Sequence, residues 1–307
     1  MKAAVVTRYG QPPQYDDMPE PGAADPDEQV VEVLAAALSP RVRSQAAGSH
    51  YSSDGTLPLI PGIDGVGRTA SGELRYFLLP DTNRGTMAER VAIDVRRSIP
   101  LPRGADPVML AAAMNPLMSS WVALRRRARL RRGQSVLVLG AGGNAGRLAM
   151  DVARHLGART VVGVSRAASG ADPALIAQSD LDAITAAGAR VDVVLDYLWG
   201  QPTAEALRAI IPARADDSQQ LTWVQIGSVA GPESAIPSAA LRAVNLHIVG
   251  SGQGSVDPGD IKDELRHIAQ AVGRGAFAVR ARPVPLAQVA DAWAEAPTTR
   301  DRLVLVP

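Results

Sequence analysis

SVLVLGAGGNAG, residues 135–146, decides the fold. After Ser135 it opens on an unbroken run of Val and Leu with no polar alternation, the composition of a strand buried on both faces of a parallel sheet. The run passes straight into Gly140, Gly143 and Gly146, spaced G-x-x-G-x-x-G. A helix over Ala145–Leu156 follows, with Leu148, Ala149, Val152, Ala153 and Leu156 at the spacing of one helical face. Apolar strand, glycine turn and amphipathic helix together form a variant of the dinucleotide fingerprint. Gly140 lets the chain turn sharply out of the strand. Gly143 removes a side chain where a pyrophosphate must approach the backbone, and Gly146 lets the helix lie close to the sheet. The bare amides and the dipole at the helix start favour the negative charge of that pyrophosphate.

The same alternation extends C-terminally. Thr160–Val164, Val191–Leu198, Leu221–Gly227 and Leu246–Ser251 are further apolar strands, the last one an expected sheet edge, and Asp260–Gly273 and Asp291–Ala296 are expected helices. This predicts an α/β domain with a doubly wound parallel sheet over 108–280. Val108–Arg129 reads as a helix dented near Asn115–Pro116, because Pro116 lacks an amide proton and restricts the residue before it. Residues 1–107 differ in character. Short strands are expected at Lys2–Thr7, Gln29–Leu38, Gly65–Ala70, Leu74–Leu79 and Arg90–Ile93. They are separated by a Pro/Gly/Asp-rich loop and by Pro58, Pro61, Pro80, Pro100 and Pro102, a pattern suited to a small irregular β-barrel. The closing DRLVLVP is an expected strand that rejoins this first domain, so that 281–307 completes it.

Where the second strand of such a fold ends, an NAD site usually carries an acid for the ribose 2′-hydroxyl. Here the strand ends Val164-Ser165-Arg166. Arg166 can pair with a 2′-phosphate and Ser165 can donate to it, which points to NADP(H).

Composition narrows the remaining classes. The chain has 307 residues, 46% hydrophobic, with a formal net charge of +1, so no strong field draws it to nucleic acid or to an anionic membrane. All basic residues but Lys2 and Lys262 are arginine. There is no cysteine, which excludes disulfides, thiolate catalysis and sulfur-bound zinc. His50, His155, His247 and His267 show no metal-ligand spacing. The N-terminal apolar run is too short for a signal peptide, and no run of 18 apolar residues suggests a membrane span. A soluble cytoplasmic protein without a metal is the expectation.

Several segments together resemble the medium-chain dehydrogenase/reductase superfamily, in its zinc-free quinone oxidoreductase-like branch. They are MKAAVV at the start, PGIDGVGR (Pro61–Arg68), GTMAER (Gly85–Arg90), RRGQSVLVLGAGGNAG (Arg131–Gly146), VDVVLDYLWG (Val191–Gly200), WVQIGSVAG (Trp223–Gly231) and the final RLVLVP. The resemblance implies a GroES-like barrel from both termini, a Rossmann domain between them, and an active site in the cleft. Zinc-dependent relatives carry Cys and His ligands where this chain reads PGIDG. By matching motif, Gly143, Asn144 and Ala145 should face the cofactor diphosphate, and Ile226, Gly227 and Ser228 should lie near the nicotinamide. Gly250–Ser255, with Ser251, Gly252 and Gln253, should border the cofactor or the dimer-forming edge strand, and Asn115 should touch the nicotinamide side. One departure stands out. Between the second strand and Gly170-Ala171-Asp172 only a few residues remain, whereas a right-handed crossover normally takes a dozen or more. Either the family's helix is lost here or a segment is missing from the chain.

Hydride chemistry belongs to the cofactor, and the protein positions and polarises. Without zinc, quinones and conjugated enones are the fitting acceptors, because charge delocalises after hydride addition. Tyr51 and His50, in the polar loop GSHYSSDG, are candidate proton donors, with exposed surface roles as the alternative. Asp64 sits in a Gly-rich segment, where capping a turn is the expected role and catalysis the alternative. The expected function is hydride transfer from NADPH to a quinone or α,β-unsaturated carbonyl compound by a homodimer paired through Leu246–Val249. An NADPH-binding sensor or scaffold with little turnover is the alternative.

Overall fold

The N-terminal segment begins with β1 (Lys2–Val5), paired antiparallel with β2 (Gln14–Asp17). The long β3 (Glu28–Ala37) pairs antiparallel with both β4 (Asp64–Arg68) and β6 (Arg90–Asp94), and it bulges between Val33 and Ala35 where the register slips. β5 (Leu74–Leu78) joins β4 to β7 (Ser98–Pro100). Between β3 and β4 lies α1 (Pro40–Ala46), whose start is fixed by Ser39: its side chain accepts from the Val42 amide, and Pro40 holds the first helical position. The structure is a computed structural model, and it describes residues 1–307 apart from 51, 52, 54, 81, 167–171 and 173.

α2 (Pro107–Val122) follows and continues as one wide helical turn over Ala123–Arg127. Pro116 lies inside this helix rather than ending it. By length and composition Pro107–Arg127 would suffice to cross a membrane, but 67% of its most apolar window is buried in the protein, as befits a core helix.

The parallel sheet contains β8 (Ser135–Leu139), β9 (Thr160–Ser165), β10 (Leu175–Ala177), β11 (Val193–Asp196), β12 (Leu221–Gln225) and β13 (Leu246–Gly250). Its spatial order is β10-β9-β8-β11-β12-β13, every pairing parallel. Numbered from β8, this is 3-2-1-4-5-6, the doubly wound order that reverses between β8 and β11. The helices are α3 (Asn144–His155), α4 (Leu181–Gly188), α5 (Gly200–Ile210), α6 (Ala240–Ala243) and α7 (Pro258–Gly273). On one side of the sheet Leu137, Val194 and the fully buried Trp223 pack with Leu207 and Ile210 of α5.

After α7 come β14 (Ala281–Pro285), α8 (Val289–Glu295) and β15 (Arg302–Val306). β15 returns as expected, pairing antiparallel with β3 at Val304–Ala37 and Leu305–Ala36, and parallel with β14. Phe77, Ile60, Ile93, Trp293 and Leu303 share one core there. The chain thus divides into two compact units, Met1–Asn115 with Leu265–Pro307, and Pro116–Glu264, each with its own core. The first is the GroES-like β unit and the second the Rossmann unit.

Local structure departs from the sequence reading in places. β2, α1, β7, β10, α4, α5, α6 and β14 are additional to the elements expected. The connection from β9 to β10 spans only 166–174, and most of it lies outside the described residues.

Candidate cofactor site

The site is built where β8 hands over to α3. Gly140 adopts φ +90°, a left-handed conformation that turns the chain out of the sheet, and its amide and that of Ala141 both donate to Val164 O at 2.9 Å. Gly146 is required by proximity: a Cβ there would lie 2.2 Å from Gly140 O. Gly143 differs. It is the N-cap of α3 in an extended conformation, and a Cβ would meet nothing nearer than Gly140 O at 3.7 Å. Among the described residues, therefore, little occupies the space that a side chain at Gly143 would fill. Among the described residues no side chain caps α3, which leaves the first amides of the helix, those of Asn144 and Ala145, at the positive end of its dipole. A bare, uncapped helix start beside empty space fits a diphosphate.

Neighbouring strand ends gather along the same edge. Ser165 closes β9, is buried, and its Cβ would touch a side chain at Gly142. Arg166 follows and is exposed. The segment after β12 runs beside the end of β11: the Ile226 and Gly227 amides both donate to Asp196 O, at 2.8 and 3.1 Å, and the Ala230 amide donates to Leu198 O at 2.8 Å. A Cβ on Gly227 would lie 2.8 Å from Tyr197 O, so this glycine is held by backbone contact. Ser228 follows directly. After β13, the Ser251 amide donates to Gln225 O at 2.8 Å, and Ser255 closes a turn over Gly252 and Gln253 by donating to Gly252 O and accepting from its amide.

Asp196, which sequence reasoning did not single out, organises this edge. It is fully buried at the end of β11. Its Oδ1 accepts from the Leu198 and Trp199 amides at 2.9 and 3.0 Å, and its Oδ2 accepts from the Thr203 hydroxyl at 2.6 Å and the Trp223 indole at 2.9 Å. One carboxylate thereby fixes the turn into α5, including Trp199 at the strained φ of +54°, and ties it to β12.

In the first unit, Asn115 is half-buried in α2. His50 is half-buried, and its carbonyl accepts from the Ser53 amide at 2.9 Å. Tyr51 lies outside the described residues. Asp64 corrects the sequence reading: it is no turn cap but the first residue of β4, 2% exposed, with Oδ2 accepting from Tyr76 Oη at 2.9 Å. Burial pushes its carboxyl up to about 6, against the Tyr76 hydrogen bond and the more distant charges of Arg302 and Arg41. Because the folded pKa lies above the unfolded value, the fold prefers the protonated acid. Stability from this group is full below about pH 4 and is lost as pH rises to about 6, by roughly 3 kcal/mol. Asp64→Asn keeps an acceptor for Tyr76 and removes the titration. The melting-temperature advantage of the variant over the wild type should therefore grow between pH 4.5 and 7, and a constant difference would show that Asp64 does not titrate there.

No family model matches the chain. It is 30% identical over 363 aligned positions, covering all of both chains, to a probable NADPH-dependent quinone reductase of Emericella nidulans. A 2-methylene-furan-3-one reductase of Solanum lycopersicum is 25% identical over 187 residues, 56% of this chain and 45% of that protein. Among solved structures, the quinone oxidoreductase of Thermus thermophilus superposes with a TM-score of 0.81 at 27% identity over the full length of both chains. With full-length identity of this order and a superposable two-unit fold, the chain belongs to the medium-chain dehydrogenase/reductase superfamily, in its quinone oxidoreductase branch.

Proposed function

We propose that this protein is a zinc-independent, NADPH-dependent oxidoreductase that transfers a hydride to a quinone or an α,β-unsaturated carbonyl compound. The observation that carries the reading is the uncapped start of α3 beside the open space at Gly143, on the sheet edge where the strand order reverses. The relatives' names point the same way, to NADPH, to quinones and to a reductase of a 2-methylene ketone.

When bound, NADPH supplies a hydride; with one proton it converts a quinone to a hydroquinone and leaves NADP⁺. The protein's part is to hold and orient. The turn Gly140–Gly146 presents the Asn144 and Ala145 amides to the diphosphate. Arg166 pairs with the 2′-phosphate where β9 ends, and the absence of an acid there favours NADPH over NADH. Ser165, being buried, supports that junction more than it reaches a ligand. Ile226, Gly227 and Ser228 border the nicotinamide, with Ser251, Gly252 and Gln253 on the adjoining strand end. Asn115 is assigned to the nicotinamide side, and Tyr51 and His50 to the acceptor as proton donors. Among the described residues β13 is the last strand of its sheet, which supports a homodimer formed by strand pairing between two copies, and exposed Leu241 on α6 adds apolar surface near it. A cytoplasmic setting is part of the same proposal.

Steady-state oxidation of NADPH with a panel of quinones and enals tests the reading. Turnover is expected with NADPH and much less with NADH. Arg166→Ala should lose about 1.5–3 kcal/mol of NADPH affinity, the usual size for a hydrogen bond to a charged group, with NADH nearly unaffected. Equal losses for both cofactors would remove Arg166 from the 2′-phosphate. Tight NADPH binding without turnover on any acceptor would leave the sensor or scaffold reading instead.

A further inference from the structure

The Rossmann unit also carries a concave site, at the opposite edge of its sheet from the glycine turn. A solvent-open cavity of about 510 Å³ is lined by Arg131, Arg132, Gly133, Gln134, Arg159, Arg190, Asp192 and Gln219. These residues belong to the loops entering β8, β9, β11 and β12. At about 3.3 Å per residue, the length of β8 separates them from Gly140 by about 16 Å.

Four arginines thus line one cavity, with a single carboxylate among the described residues. That carboxylate is already engaged: Asp192 Oδ2 accepts from the Ser135 amide at 2.7 Å and Oδ1 from Gln219 Nε2 at 2.8 Å. Other arginines of this unit have acidic partners, Arg125 with Glu264 at 2.8 Å, Arg126 with Asp260 at 2.8 Å and Arg154 with Asp151 at 3.1 Å. Among the described residues none is found for Arg131, Arg132, Arg159 or Arg190. Clustered like charges with no partner repel one another and lower the stability of the empty site.

The cavity is also constructed by its loops. Gln134 Oε1 accepts from the Arg131 amide at 2.8 Å, Gln134 O accepts from the Arg159 amide at 2.8 Å, and the Gly133 amide donates to Gly157 O at 2.9 Å. Gly157, at φ +92°, makes room for Arg132, whose Nη1 lies 3.2 Å from where a Cβ would stand. The arginine-bearing loops are therefore pinned to one another. Among the described residues the lining side chains are all polar and none is aromatic, so none would stack on a base. Forked guanidinium donors match phosphate oxygens in pairs.

We propose that this cavity binds an oligophosphate, a pyrophosphate or longer chain of phosphoryl groups, at a site distinct from the cofactor turn and independent of the cofactor assignment. The shared chemistry is the phosphate chain, which a free inorganic oligophosphate or a nucleoside triphosphate can supply.

Calorimetric titration with inorganic tripolyphosphate, and separately with ATP, tests this on the full-length protein with and without saturating NADPH. Saturable binding is expected in both backgrounds, at least tenfold weaker at 200 mM than at 50 mM salt. The double variant Arg159→Ala/Arg190→Ala should bind at least tenfold more weakly while keeping its NADPH affinity and its circular dichroism spectrum. Comparable affinities for tripolyphosphate and ATP support the phosphate chain as the recognised group. A flat titration, binding abolished by NADPH, equal binding by the double variant, or binding confined to ATP would each overturn the proposal.

Discussion

Asp196→Ala should be the most destabilising single substitution along the cofactor edge, costing roughly 3–5 kcal/mol, because several buried donors lose their acceptor at about 1–3 kcal/mol each. The loss is large because four donors depend on one carboxylate: the Leu198 and Trp199 amides, the Thr203 hydroxyl and the Trp223 indole. Thr203 and Trp223 are fully buried, so water cannot replace what is lost. At about 2–4 °C per kcal/mol for a domain of roughly 150–250 residues, the melting temperature should fall by about 6–20 °C. Asp196→Asn separates the contributions. Its carbonyl oxygen can keep both backbone amides, and the Thr203 hydroxyl can rotate to accept from the new amide group. The Trp223 indole has no such freedom and would face a donor. Asn should therefore cost less than Ala yet remain clearly destabilising, measured by thermal and urea unfolding. If Asn and wild type unfolded together, the indole contact would carry no stability.

The two acids of VDVVLDYL show why this residue was hard to find by reading. Asp192 and Asp196 flank the same apolar run four residues apart and look alike in sequence. One stands just before the strand, at the end lined by arginines; the other is swallowed where the strand ends. What distinguishes them is Trp223, 27 residues beyond Asp196, and no local pattern reports that pairing. The glycine turn was legible because all its parts are contiguous: the apolar strand, the spacing, the helical face. The parallel sheet followed from repetition of that unit, and the return of β15 from an isolated apolar run at the chain end. Some misses had signals that were available. Ser39-Pro40 is a cap followed by proline at the first helical position, and Asp180 accepts from the Ala183 amide to start α4. Others had none. β2 is four exposed residues, QYDD, held by pairing with β1, and Asp64 reads as a turn residue until Tyr76 is placed against it.

Two alanine substitutions in the same glycine turn should behave oppositely. Gly146→Ala places a methyl 2.2 Å from Gly140 O, 2.8 Å from its carbonyl carbon and 2.9 Å from the Ala141 Cα. All three are backbone atoms, so no rotamer change relieves the clash. Overpacking ordinarily costs about 1–3 kcal/mol, and here the upper end is expected because α3 must move off β8. The melting temperature falls, and cofactor affinity falls with it, at least tenfold, because the helix start is displaced. Gly143→Ala meets nothing within 3.7 Å, at a φ of −83° that any residue adopts. Its cost to the fold is that of a less favoured N-cap, under about 1 kcal/mol. The methyl does, however, occupy the open space through which the diphosphate approaches the amides. Its melting temperature should stay near the wild type while NADPH affinity drops at least tenfold, read by fluorescence titration of the reduced nicotinamide. The contrast is the test, since a purely structural turn would make both substitutions act through stability. Were Gly143→Ala to bind NADPH as tightly as the wild type, the diphosphate would not lie against this helix start, and the cofactor assignment would fall while the fold stood.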